Sequence, residues 1–239
     1  MIRPGRRARA LSGCGADCLE RFRRALLIGA LALLSGLPVA ARAARPIVVI
    51  DTDVGDDIDD AYALAWALSS PKLDVRAITT GFGDTALRAR LARRMVATLG
   101  RGDVSVGAGP VTAPATTFTQ AHWAEASPAM AAPDAVALTL GLIRAHPGKV
   151  TLIALAPLTD VGAMIARDPA TFRKLKRVLV MAGSIRRGYD KNGLPSLAPD
   201  AEYNVARDPA ALLGSGVAVT LFPLDSTQIR PDDATLARL

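Results

Sequence analysis

The chain has 239 residues, with 29 Lys and Arg against 22 Asp and Glu and a formal charge of +7. The positive excess is local: residues 1–43 hold eight of the basic residues and two of the acidic ones, leaving 21 and 20 in the rest. The high pI therefore belongs to the leader and gives no support to nucleic-acid binding.

The leader has its own pattern. Arg3, Arg6, Arg7, Arg9, Arg21, Arg23 and Arg24 form a basic region, Ala25 to Leu34 is apolar and uncharged, and Ala41-Arg42-Ala43 follows Pro38 as a small-residue site. This layout predicts a signal peptide over residues 1–43, cleaved after Ala43. The product is expected to be periplasmic or secreted, with no stable membrane anchor. The apolar core falls short of the roughly 20 residues that a span needs. Cys14 and Cys18 both lie in the leader, so residues 44–239 carry no thiol. Their length suits one well-cored domain.

Along residues 44–239, strand-like apolar runs fall at 47–51, 74–80, 103–107, 149–156, 177–182 and 217–222. Helical patterns lie between them, at about 60–69, 85–99, 134–145, 159–167 and 208–214. The alternation predicts an α/β fold, an open and largely parallel sheet with helices on both faces. Val111 to Pro133, rich in Ala, Pro and Thr, reads as a long surface loop of the kind that forms lids or binding loops. Arg186 to Ala201 is a second irregular stretch. Arg88, Arg90, Arg93 and Arg94, set beside Leu87 and Leu91, read as the solvated face of an amphipathic helix.

The first strand runs directly into Asp51-Thr52-Asp53-Val54-Gly55-Asp56-Asp57-Ile58-Asp59-Asp60. Carboxylates crowded into one turn raise each other's pKa unless a cation sits among them. Asp51 and Asp53 leave the strand on the same side, Gly55 allows a tight turn, and Asp59-Asp60 open a helix. The helix N-terminus favours their charge, and Asp59 can also act as its cap. Oxygen-only ligands select a hard cation, Ca²⁺ or Mg²⁺. The end of a buried strand is where open α/β sheets place their ligand crevices.

Asp51 to Leu64, D-T-D-V-G-D-D-I-D-D-A-Y-A-L, resembles the N-terminal signature of the inosine–uridine-preferring nucleoside hydrolases. Further resemblances follow in that family's order. They are Ala77 to Asp84 (with Asp84 at a usual Asn position), Thr151 to Asp160, Val178 to Gly183 followed by Ala201-Glu202-Tyr203-Asn204, and Val217 to Leu224. Together they cover essentially all of residues 44–239, which read as a nucleoside hydrolase-like domain with a Rossmann-like fold.

The resemblance implies a Ca²⁺ cofactor and hydrolysis of the N-glycosidic bond of a small-molecule ribonucleoside to base and ribose. It implies Asp53 as metal ligand and general base, Asp60 as a second ligand, and the Leu155 carbonyl as part of the same shell. Asp59 and Asp84 fall at positions that hold ribose hydroxyls, and Glu202 and Asn204 at positions around the 5′ side of the sugar. The acidic loop is two residues longer than the shortest form of the signature, which leaves Asp57 as a rival to Asp59. Asp84 can equally be the cap of the helix that follows it. The resemblance also implies a later His-Asp pair that this sequence does not contain, so the chain reads as C-terminally incomplete, and a homo-oligomer is expected.

Two other readings come from the residues. Asp51-Thr52-Asp53 fits the D-x-D signature of haloacid-dehalogenase-type phosphatases, with Asp51 as nucleophile, but Gly55 stands where a Thr is expected. The second is a nucleoside- or ribose-binding periplasmic protein without turnover.

Overall fold

A computed structural model of the chain describes residues 44–113, 117–190, 194–208, 213–228 and 232–236. The leader read as a signal peptide lies outside these residues, as does most of the helical pattern expected at 208–214. The strands are β1 (Ile47–Thr52), β2 (Asp74–Thr80), β3 (Ser105–Ala108), β4 (Val150–Ala154), β5 (Arg177–Met181), the short pair β6 (Gly188–Tyr189) and β7 (Pro195–Ser196), and β8 (Val219–Phe222). The helices are α1 (Asp59–Ser69), α2 (Thr85–Thr98), α3 (Ala121–Glu125), α4 (Ala135–Ala145), α5 (Thr159–Arg167), α6 (Pro169–Phe172), α7 (Tyr203–Arg207), α8 (Leu224–Thr227) and α9 (Asp233–Leu236). None of the described helices is long and apolar enough to cross a membrane.

Six strands form one sheet in the order β3-β2-β1-β4-β5-β8, and every neighbouring pair is parallel. This is the α/β architecture expected from the sequence. Beta-branched runs such as Ile47-Val48-Val49-Ile50 suit a pleated surface that is covered on both sides. Successive residues face opposite ways, so Val48 and Ile50 enter one core while Val49 enters the other. The first core packs α1, α2 and α3 against the sheet through Leu64, Leu68, Leu91, Met95 and Ala124. The second packs α4, α5 and α6 through Leu140, Ile143, Val161, Met164 and Phe172.

The two irregular stretches are more ordered than composition suggests. Within 111–133 a short helix, α3, packs on α2, and within 186–201 β6 and β7 pair as an antiparallel hairpin. The chain winds outward from β1 to β3, then crosses back to β4 beside β1. That reversal opens a crevice at the carboxyl ends of β1 and β4, where loops from both halves of the sheet can meet.

Candidate active site

Four strand ends supply the candidate residues. Asp53 follows β1, Asp84 follows β2, Leu155 follows β4, and the loop after β5 meets Glu202 and Asn204 at the start of α7. The β1–α1 turn carries the densest charge. Gly55 turns it at φ 140°, and a Cβ there would stand 2.6 Å from the Phe118 ring, so both backbone and space require glycine.

Asp53 and Asp60 lie side by side in this turn. Burial is the main cause that drives Asp53 up to about 8, and the charge of Asp60 adds to it; Arg88 acts in the opposite direction. Asp60 is also raised, chiefly by burial, although the Thr52 hydroxyl donates to its Oδ2. The same hydroxyl accepts from the Val54 amide at 3.1 Å. Two adjacent carboxylates crowded in this way would suit a hard cation. The fit is partial. No group of three or more His, Cys, Asp or Glu among the described residues has a metal-ligand arrangement. Asp53 and Asp60 would therefore hold the ion together with carbonyl, water or substrate oxygens.

The remaining candidates are occupied to different degrees. Asp59 is exposed at the first position of α1, where Ile58 is the N-cap, and its Oδ1 accepts from the Asp60 amide at 2.9 Å. Its charge is felt by Asp60, which favours Asp59 over Asp57 as the neighbouring acid. Asp84 does cap α2, its Oδ1 accepting from the Leu87 amide at 2.9 Å. The Leu155 carbonyl accepts from Asn204 Nδ2 at 2.7 Å, so one of its two lone pairs is already used. Asn204 Nδ2 also reaches the Met181 carbonyl at 3.1 Å and ties the ends of β4 and β5 together.

Glu202 is buried and satisfied by main-chain amides. Oε1 accepts from Asn204 at 2.8 Å, and Oε2 accepts from Gly183 at 3.0 Å and Val205 at 3.1 Å. It caps α7 and braces the loop after β5, and about one of its four acceptor positions remains for a ligand.

Asp160 had no assigned role in the sequence, and Asp51 had one only in the phosphatase reading. Asp160, in the first turn of α5, is buried against Gly109 and beside Asp51. Thr79 donates to Asp51 Oδ1 at 2.7 Å, but Asp51 Oδ2 and both Asp160 oxygens are buried with no hydrogen-bond donor beside them among the described residues. Burial pushes Asp160 up to about 7 and Asp51 well above the carboxylate range, Asp51 further raised by the charge of Asp160. The pair therefore retains a proton, which supplies the missing donor. Asp160 closes the Thr151–Asp160 motif on the first turn of a helix after a buried strand, a position that could have flagged it.

The arginines of α2 are not a solvated face. Arg88 is 2% exposed and reaches into the β1–α1 turn. Arg90 donates to the carbonyls of Glu125 and Ser127, Arg93 to those of Met130 and Ala131, and Arg94 to that of Trp123 while stacking 4.6 Å over its ring. They satisfy main-chain acceptors at and beyond the C-terminus of α3, which needs such donors. The segment so held grips the acidic turn: Thr119 Oγ1 donates to the carbonyls of Gly55 and Asp56, and Gln120 Nε2 to that of Asp57.

A parallel α/β sheet with an acidic, cation-demanding turn at its reversal point defines a class of small-ligand site. A family model described as inosine-uridine preferring nucleoside hydrolase matches residues 48–238. The chain belongs to that family. It is 34% identical over 208 residues to the pyrimidine-specific ribonucleoside hydrolase RihA of Citrobacter koseri, covering 78% of this chain and 63% of that protein. An uncharacterized protein of Schizosaccharomyces pombe, C1683.06c, is 28% identical over 211 residues, 80% of this chain and 66% of the relative. The chain thus spans somewhat less than two thirds of these relatives' length. Among solved structures, a plant nucleoside hydrolase (the PpNRh1 enzyme) superposes with TM-score 0.62 at 26% identity, over 76% of this chain and 61% of its own. The inosine-uridine preferring nucleoside hydrolase of Bacillus anthracis shares the fold, with TM-score 0.64 at 19% identity over 81% and 69% of the two chains.

Proposed function

We propose that this protein hydrolyses the N-glycosidic bond of ribonucleosides, releasing base and ribose, with a Ca²⁺ ion as cofactor. The observation that carries the reading is the pair Asp53 and Asp60, half-buried side by side at the reversal point of the sheet, with both carboxyls raised chiefly by desolvation. Asp53 and Asp60 would hold the ion, which when bound supplies Lewis acidity toward a water and the ribose hydroxyls. Asp53 accepts the proton of the attacking water, as a carboxylate whose pKa stands near the working pH can do. The bond breaks through an oxocarbenium-like sugar, whose positive charge the neighbouring carboxylates favour. Asp59 and Asp84 receive ribose hydroxyls through charge-assisted hydrogen bonds. Glu202 and Asn204 shape the far side of the sugar pocket, mainly by bracing the strand ends. The leader supports export to the periplasm or beyond, and the ligand in this reading is a free nucleoside.

The test is release of reducing sugar and base from inosine and uridine by purified protein, with and without EDTA. Turnover that disappears on chelation and returns with Ca²⁺ is the expected result. Binding of nucleoside with no turnover would replace this reading by a binding protein. Phosphate release from a phosphomonoester would replace it by a phosphatase.

A further inference from the structure

Among the described residues Arg88 is the cation sunk into the acidic turn, and the chemistry proposed above assigns it nothing. Its side chain is 2% exposed, and four of the five guanidinium N–H groups have acceptors. Nε donates to the Phe82 carbonyl at 2.9 Å, NH1 to the carbonyls of Asp53 and, at 3.1 Å, Val54, and NH2 to the Asp56 carboxylate at 2.7 Å. The Phe118 ring lies 4.7 Å from the guanidinium carbon and the Phe82 ring 5.9 Å. Phe82 is held at φ 64°, a left-handed backbone that a bulky residue adopts only when its surroundings enforce it. Four acceptors and two rings thus fix one planar group, and that group fixes the main chain on either side of the Asp53–Val54 peptide.

We propose that Arg88 is a positioning residue for Asp53: it sets the β1–α1 turn, and with it the Asp53 carboxylate, before any cation binds. The planar fork is essential to this role. A lysine carries the same charge but offers a single point of attachment, and it cannot span two adjacent carbonyls, a third across the turn and a carboxylate. Asp56 serves as the paired anion, since a guanidinium this deeply buried is costly without one. Its own side chain is 53% exposed, so Asp56→Asn opens no cavity, and its effect is confined to the charge and hydrogen bond that Arg88 loses.

The inference rests on the reading of Asp53 and Asp60 as cation ligands, and the experiment separates the two. Tb³⁺ titrations of the wild-type protein and of Arg88→Lys, Arg88→Met, Asp56→Asn and Asp57→Asn are read by luminescence. Hydrogen exchange of the peptide spanning residues 50–62 is followed in EDTA. Both Arg88 variants should weaken Tb³⁺ at least tenfold, the range that loss of an outer-shell partner produces. Asp56→Asn and Asp57→Asn remove the same charge, but Asp56→Asn should weaken binding at least threefold more, because it alone unpairs Arg88. Exchange in 50–62 should quicken tenfold or more while β4 and α4 stay unchanged. Wild-type protein that binds no Tb³⁺ sinks the cation reading alone, and the exchange data then decide on Arg88. Tb³⁺ affinity and local exchange within twofold of wild type in Arg88→Lys or Arg88→Met would overturn the proposal. If those variants do not fold, equal behaviour of Asp56→Asn and Asp57→Asn overturns it, and the threefold gap upholds it.

Discussion

The Asp53–Asp60 turn and the Glu202 bracket are both acidic features withdrawn from solvent at strand ends, the first half-buried and the second buried, yet they are opposite in kind. Glu202 receives three main-chain amides and holds a loop in place. Asp53 and Asp60 face each other in a desolvated turn, relieved in part by a threonine hydroxyl, a neighbouring guanidinium and main-chain hydrogen bonding at Asp53. Burial alone does not mark a carboxylate as chemical; what separates the two is whether its lone pairs are already taken. A satisfied carboxylate contributes stability, whereas a crowded one holds affinity for protons and cations in reserve.

Substitutions can break this contrast. The largest effect is expected at Asp53→Asn, with hydrolysis falling about a thousandfold, within the range spanned by loss of a general base. The melting temperature in EDTA should hold or rise, because one of two crowded acids is gone. A parallel loss of activity and stability would place Asp53 with Glu202 as a structural acid. Glu202→Gln should do the reverse. An NH₂ group would face a main-chain N–H, costing about 2 kcal/mol, or roughly 4–8 °C in melting temperature for a chain of this size.

Cation binding sharpens the comparison further. With Asp53 pushed up to about 8, a proton and a cation compete for the same oxygens. Calorimetry should find Ca²⁺ roughly twentyfold or more weaker at pH 6.5 than at pH 8.5, with proton release on binding. The smallest effect belongs to the Asp51–Asp160 pair. The folded protein holds a proton there that the unfolded chain gives up near pH 4, so the stability tied to this pair is complete below about pH 4 and declines as pH rises through about 7. Asp160→Asn supplies the donor permanently. It should flatten that slope and raise the melting temperature above pH 7 by about 2–4 °C for each kcal/mol recovered.

Much of this arrangement was legible in the sequence. Short apolar runs located the six strands of the main sheet, because core covers both of its faces, and period-3.6 patterns located the long helices, which bury one face each. The acidic turn announced itself by composition. Arg88 did not, although it sits three residues after Thr85 and four before Ala92, on the buried stripe of α2. A basic residue on an apolar stripe is the signal that was there to be read. Its partners on the turn lie 32 to 35 residues away in sequence, and the carbonyls bound by Arg90, Arg93 and Arg94 lie 29 to 38 away. Local pattern carries no information about which loop returns to which helix. The same holds for Leu155 and Glu202, whose positions were legible but whose existing hydrogen bonds were not.

The arginines of α2 grip the 123–131 segment almost entirely by its main chain. A carbonyl oxygen is present whatever amino acid bears it. Side chains along this segment can therefore be exchanged over evolutionary time, and what they offer a passing ligand can drift, while the tether to α2 survives every replacement short of a change in loop length.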